Sequence, residues 1–141
     1  MTTEVLSSSQ EVKDLYKMAL LAREKSYSPY SGHKVGAAIR TSNGKIYTGC
    51  NIENSSFGAT VCAERVAIQK GISEQGPLQI VEIMVITDAT PPWPPCGLCR
   101  QVIGEFGKET TIYTANIEGN LETFSLNDLF PLAFTSAHLQ K

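Results

Sequence analysis

The sequence predicts an α/β fold: a three-layer α/β/α sandwich on a mixed, roughly five-stranded sheet, in one domain spanning residues 1–141. Three observations predict it. Apolar residues recur at helical spacing in some segments and crowd into short β-branched runs in others. The order along the chain is helix, two hairpin strands, helix, strand, helix, strand. A hairpin followed by strand–helix alternation needs helices on both faces of a sheet with parallel and antiparallel members.

Residues 1–8 precede the first periodic segment and are expected to be flexible. Ser8-Ser9-Gln10-Glu11 has capping-box spacing, in which hydroxyl and carboxylate satisfy exposed helix N–H groups. Val12, Leu15, Tyr16, Ala19 and Ala22 then share one face of a helix over residues 10–25. Pro29 and Gly32 break that pattern. Val35 to Thr41 and Lys45 to Asn51 read as paired strands, joined by the Asn43-Gly44 step of a tight hairpin. A second helix runs from Cys62 to about Lys70, with Gly71 as its stop. Ile80 to Thr87 is rich in β-branched residues, as a strand buried on both faces requires. After the Pro-rich loop Thr90 to Pro95, a third helix covers Gly97 to about Phe106, ended by Gly107. Thr110 to Asn116 and Leu121 to Phe124 read as strands around the Glu118-Gly119-Asn120 turn, and Ser125 as the cap of a short helix.

Composition narrows the function. Lys and Arg total 12 against 14 Asp and Glu, a formal charge of −2, with no long cluster of cations. A nucleic-acid binder ordinarily carries a basic track, so polynucleotides are not expected partners. No apolar run reaches the roughly 18–20 residues that cross a bilayer, so no membrane partner is expected either. The acidic start Met1-Thr2-Thr3-Glu4 has no basic, then apolar, export pattern. A cytoplasmic location is expected.

Four cysteines are present, Cys50, Cys62, Cys96 and Cys99, and free thiols or a metal site suit that location better than disulfides. Cys62 and Cys96 open the second and third helices, where the helix dipole favours thiolate. Cys96 and Cys99 lie one helical turn apart and can share a metal, and Cys62 completes a three-thiolate site. Three protein ligands leave a zinc ion one open position, the catalytic arrangement, whereas four close it. Cys50 reads either as a small buried strand residue or as that fourth ligand, which would make a structural zinc or thiol-redox module. Glu64, two residues after Cys62, can stand beside the metal without binding it and move protons there.

Cys62-Ala63-Glu64 followed by Pro95-Cys96-Gly97-Leu98-Cys99 matches the pattern of zinc deaminases, in which the Glu is an acid/base and not a ligand. Tyr27-Ser28-Pro29-Tyr30-Ser31, Val35-Gly36-Ala37-Ala38, Thr48 to Asn54, Cys62 to Arg65, Pro95 to Gln101 and Leu129 to Phe134 extend the likeness from about Tyr27 to Leu139. With these motifs in order, the chain resembles the short, homotetrameric cytidine deaminases that act on free nucleosides.

The resemblance implies hydrolytic deamination of cytidine and deoxycytidine to uridine and deoxyuridine, in pyrimidine salvage, by a homotetramer with one zinc per subunit. It assigns Cys62, Cys96 and Cys99 to the metal. Glu64 would protonate pyrimidine N3, assist attack at C4 and hand a proton to departing ammonia. Backbone N–H groups near Ala63 would hold the base, and Asn51 and Glu53 the ribose 3′-hydroxyl. Arg65 would offset the net charge of −1 left by three thiolates on a divalent ion. Phe57 and Phe134 match positions whose rings line the nucleoside pocket, partly across subunit boundaries. His33 stands where the family commonly has Phe and makes the pocket more polar. Deaminases of modified cytosine nucleosides, of the blasticidin S type, share the metal and glutamate motifs and remain the alternative. Trp93 has no assigned role.

Overall fold

β-Branched side chains dominate Ile80–Thr87, and this segment forms a central strand of the sheet. The computed structural model of the chain describes residues 3–140. In order it contains β1 (Thr3–Glu4), α1 (Gln10–Arg23), β2 (Gly36–Thr41), β3 (Ile46–Cys50), α2 (Ala63–Gln75), β4 (Ile80–Thr87), α3 (Gly97–Phe106), β5 (Thr111–Asn116), β6 (Asn120–Ser125) and α4 (Leu126–Leu129). The strands form one sheet in the order β1-β6-β5-β4-β2-β3. β4 and β5 run parallel, and the other neighbours are antiparallel.

Side chains alternate across each strand, so the sheet feeds two cores. Ile83 and Val85 of β4 join Ala37, Ile39, Ala67, Ile68 and Ile103 under α2 and α3. Met84 and Ile86 join Ala38, Leu15, Ala19 and Val12 under α1. The layers are therefore helix, sheet and helix, as expected. Among the described residues, no helix is long and apolar enough to cross a membrane.

Three local expectations need correction: the strand count, the cap of α1 and the end of α2. The sheet has six strands, because Thr3 and Glu4 pair antiparallel with Leu121 and Asn120 of β6. Met1 and Thr2 of the expected flexible segment lie outside the described residues. Its next residues are held by that pairing and by Val5, which is buried in the α1 core and donates its N–H to Gly119 O at 2.8 Å. The cap of α1 is Ser9, which accepts from Val12 N, and Ser8 Oγ donates to Val5 O instead. α2 continues past Gly71 and stops at Gly76, where φ is 83°. A Cβ on Gly71 would lie 2.8 Å from Leu78 Cδ2 and 2.9 Å from Tyr47 Cδ2. The glycine therefore makes room for those side chains on the helix rather than ending it.

Candidate active site

The topology brings two helix N-termini together. β3 and β4 each lie antiparallel to β2, so both point the same way. The chain leaves both at the same end of the sheet, their carboxyl ends, and enters α2 and α3 there, the usual place for a site in a sheet with parallel strands. Cys62 is the N-cap of α2 and Cys96 the N-cap of α3, with Cys99 one turn on. α2 packs tightly on β3 at Gly49, where a Cβ would stand 2.5 Å from Ala67 N and 2.6 Å from Ala63 O. That close approach seats Cys62, Ala63 and Glu64 against the sheet.

The sulfurs of Cys62, Cys96 and Cys99 all lie within 4.8 Å of one another, and Cys62 Sγ is 3.7 Å from Cys96 Sγ. Cys50 is not in this group. Arg65 Nη2 approaches Cys62 Sγ at 3.5 Å. Hydrogen bonding from Cys99, with the Arg65 guanidinium, pulls the Cys62 thiol down to about 5 against the opposing effect of burial. The same hydrogen bond, with burial, pushes Cys99 up. Glu64 is 4% exposed, and its burial, reinforced by the charge of Cys62, pushes its carboxyl up to about 7.

Cys62, Ala63, Glu64 and Cys96 line a cavity of about 260 Å³ that also takes in Ser31, His33, Asn51, Glu53, Thr60, Thr87 and Trp93. Among the described residues, no Lys or Arg lines it. Asn51 and Glu53 are buried and pre-positioned by the loop after α1. Asn51 donates from Nδ2 to His33 O at 2.8 Å and accepts at Oδ1 from Val35 N at 2.9 Å. Glu53 Oε1 accepts from Tyr30 N at 2.9 Å and Ser31 N at 3.1 Å, and Oε2 accepts from Ser31 Oγ. These bonds, the Ser31 hydroxyl first, hold its carboxyl below the usual range.

His33 forms part of the wall, and its ring meets Trp93 edge-on at 4.9 Å between centroids. Its Nδ1 lies 3.4 Å from Asp88 Oδ1. Trp93, unassigned by the sequence, thus belongs to the cavity. Ser31, Thr60 and Thr87 are also wall residues that sequence reasoning passed over, since single Ser and Thr residues in loops and strand ends carry no pattern. The Pro-rich loop running directly into Cys96 was the available signal for Trp93. The structure does not bring Phe57 or Phe134 into this cavity. Phe57 is 76% exposed and stacks edge-on against Tyr30. Phe134 is 54% exposed and lines a separate groove with Gln101, Leu126 and Phe130.

The donor set fits zinc. A tetrahedral ion with Zn–S bonds of about 2.3 Å separates its sulfurs by about 3.8 Å, close to the Cys62–Cys96 distance of 3.7 Å. Three thiols with two of them on the cavity wall leave the remaining position to the cavity. A buried carboxyl beside such an ion can carry protons for a hydrolytic reaction at a small, uncharged, hydroxyl-bearing molecule.

Comparison with known proteins agrees with this geometry. Residues 9–115 match the cytidine and deoxycytidylate deaminase zinc-binding region. A cytidine deaminase of Halalkalibacterium halodurans is 45% identical over 123 residues, covering 86% of this chain and 92% of that protein. The crystal structure of cytidine deaminase from Burkholderia pseudomallei superposes with a TM-score of 0.83 at 40% identity, covering 90% of this chain and all of that one. A more distant relative, blasticidin-S deaminase of Bacillus cereus, is 31% identical over 114 residues, covering 73% of this chain and 78% of that protein. The chain belongs to the cytidine and deoxycytidylate deaminase family defined by this zinc-binding region.

Proposed function

We propose that the chain converts cytidine and deoxycytidine to uridine and deoxyuridine, releasing ammonia. The observation that carries this reading is the buried Glu64 carboxyl sharing one cavity with two members of the three-thiol cluster, Cys62 and Cys96, and with Asn51 and Glu53. Cys62, Cys96 and Cys99 would hold one zinc, which would supply a Lewis acid able to activate water near neutral pH. Glu64 takes a proton from the attacking water and places it on pyrimidine N3. A C–O bond forms at C4; Glu64 then takes the proton of that new hydroxyl and passes it to the amino group as the C–N bond breaks, leaving a C4 carbonyl and ammonia. Backbone N–H groups at the start of α2, near Ala63, hold the base. Asn51 and Glu53 offer donor and acceptors to the ribose 3′-hydroxyl. Arg65 offsets the negative charge of the thiolates.

A cavity with no Lys or Arg on its wall among the described residues suits a nucleoside rather than a nucleotide or a polynucleotide, whose phosphates would have to enter uncompensated. His33 and Trp93 give the wall a polar and an aromatic member. With the blasticidin-S deaminase relative, they make a modified cytosine nucleoside the second substrate to assay. Phe57 and Phe134, exposed on the single chain, are surfaces that a homotetramer would cover while completing its pockets. Pyrimidine salvage in the cytoplasm is the setting that this reaction implies.

The test is the ultraviolet change on mixing purified protein with cytidine, with Glu64→Gln alongside. Turnover by the native chain should fall by at least 10²–10⁴-fold in the variant, with zinc content unchanged. A zinc-loaded native protein that leaves cytidine intact but converts blasticidin S would move the substrate to the second reading. Sedimentation of the native protein tests the tetramer.

A further inference from the structure

Arg100 sits one residue after the second α3 cysteine, and its side chain turns back toward the start of its own helix. Its Nε donates to Pro95 O at 2.7 Å and its Nη1 donates to Leu129 O at 2.7 Å. Pro95 is buried and directly precedes Cys96, so its carbonyl needs a donor within the protein. Leu129 ends α4, where the last carbonyls have no helical partner. One planar guanidinium therefore satisfies two backbone acceptors from segments that are far apart in sequence. Gln101, next to it, donates to Phe134 O at 3.0 Å.

We propose that Arg100 is a positioning residue for the metal centre: its fork fixes the chain entering Cys96 and thereby sets the spacing of Cys96 and Cys99 for the ion. The backbone at Cys96 is extended, with φ −67° and ψ 170°, and the helix begins at the next residue. A shift of the Pro95 carbonyl would rotate that step and move Cys96 Sγ relative to Cys99, which α3 itself holds. The anchor at Leu129 makes the bridge rigid, because both acceptors must be met by one plane. Lysine keeps the charge but is a single flexible donor group and does not reproduce this fork.

The inference rests on the zinc reading, and its test reads the metal directly. Arg100→Met and Arg100→Lys are compared with native protein by zinc competition against a chelator and by the absorption of the Co²⁺-substituted form. The melting of each metal-free protein is followed in parallel. Partners that orient metal ligands are typically worth about 10–100-fold in metal affinity. Both variants should lose affinity in that range and change the cobalt spectrum, while metal-free Arg100→Lys melts within a few degrees of native. Gln101→Leu, which frees only the tail, should bind zinc as native does. Native affinity in both Arg100 variants, full rescue by Lys, or an equal loss in Gln101→Leu would overturn the positioning role. A native protein that binds no zinc would overturn the zinc reading as well.

Discussion

Arg65 reaches back along the first turn of α2 to Cys62, placing Nη2 3.5 Å from Sγ. Its Nε is buried without a hydrogen-bond partner among the described residues, so a donor remains unused at this centre. Three thiolates on a divalent ion would leave one net negative charge, which weakens the ion as a Lewis acid, and on the proposed reading the guanidinium would offset it. Arg65→Gln should lower kcat by about 10–100-fold with zinc still bound stoichiometrically, and Arg65→Lys should restore part of the loss. Steady-state deamination with zinc analysis on the same samples checks this. An unchanged kcat would mean that the guanidinium does not tune the metal centre.

Cys50 lies on β3 outside the group of three sulfurs. Cys50→Ser should therefore keep its zinc and its activity, whereas Cys62→Ser should lose both. Metal analysis after dialysis separates the two. Loss of zinc from Cys50→Ser would instead support the closed, four-thiolate module.

The parts legible in the sequence are those written in local pattern. β4 and α3 fall where expected because Ile80–Thr87 and Gly97–Phe106 each carry a complete signal, a β-branched run or a helical run with a glycine stop. The cysteine group was legible because two helix starts carry cysteines, Cys62 at α2 and the spaced pair Cys96 and Cys99 at α3. β1 was not, since two residues have no periodicity and their partners, Asn120 and Leu121, lie at the far end of the chain. Gly71 misled because a helix stop and a packing notch use the same residue, and Tyr47 and Leu78 decide between them only in three dimensions. The meeting of His33 with Asp88 and Trp93 was hidden for the same reason, as was the Arg100 bridge.

Glu53 gives an acid-side signature. Hydrogen bonds from Ser31 and Tyr30 hold its carboxyl below the usual range in the folded protein. A lowered carboxylate adds stability that is fully present above its unfolded value of about 4.3 and is lost as pH falls through the folded value. Glu53→Gln lacks this contribution. Its melting temperature should lie below native at neutral pH, and the gap should close toward the acid end of the series. Parallel curves across the range would show that the carboxylate's hydrogen bonds do not stabilise the loop.

Gly49 ties the fold to the site most directly. An added Cβ would press on Ala67 N and Ala63 O at 2.5 and 2.6 Å, and both are backbone atoms of α2 that cannot rotate aside. The helix would have to lift from β3, and its first turn carries Cys62 and Glu64. Gly49→Ala should cost about 1–3 kcal/mol of stability, the usual range for overpacking, read by urea denaturation of the metal-free protein. It should also weaken zinc binding, because Cys62 moves with α2 while Cys96 and Cys99 stay with α3. A variant that loses stability but binds zinc as native does would mean that the first turn of α2 adjusts independently of its seat on β3.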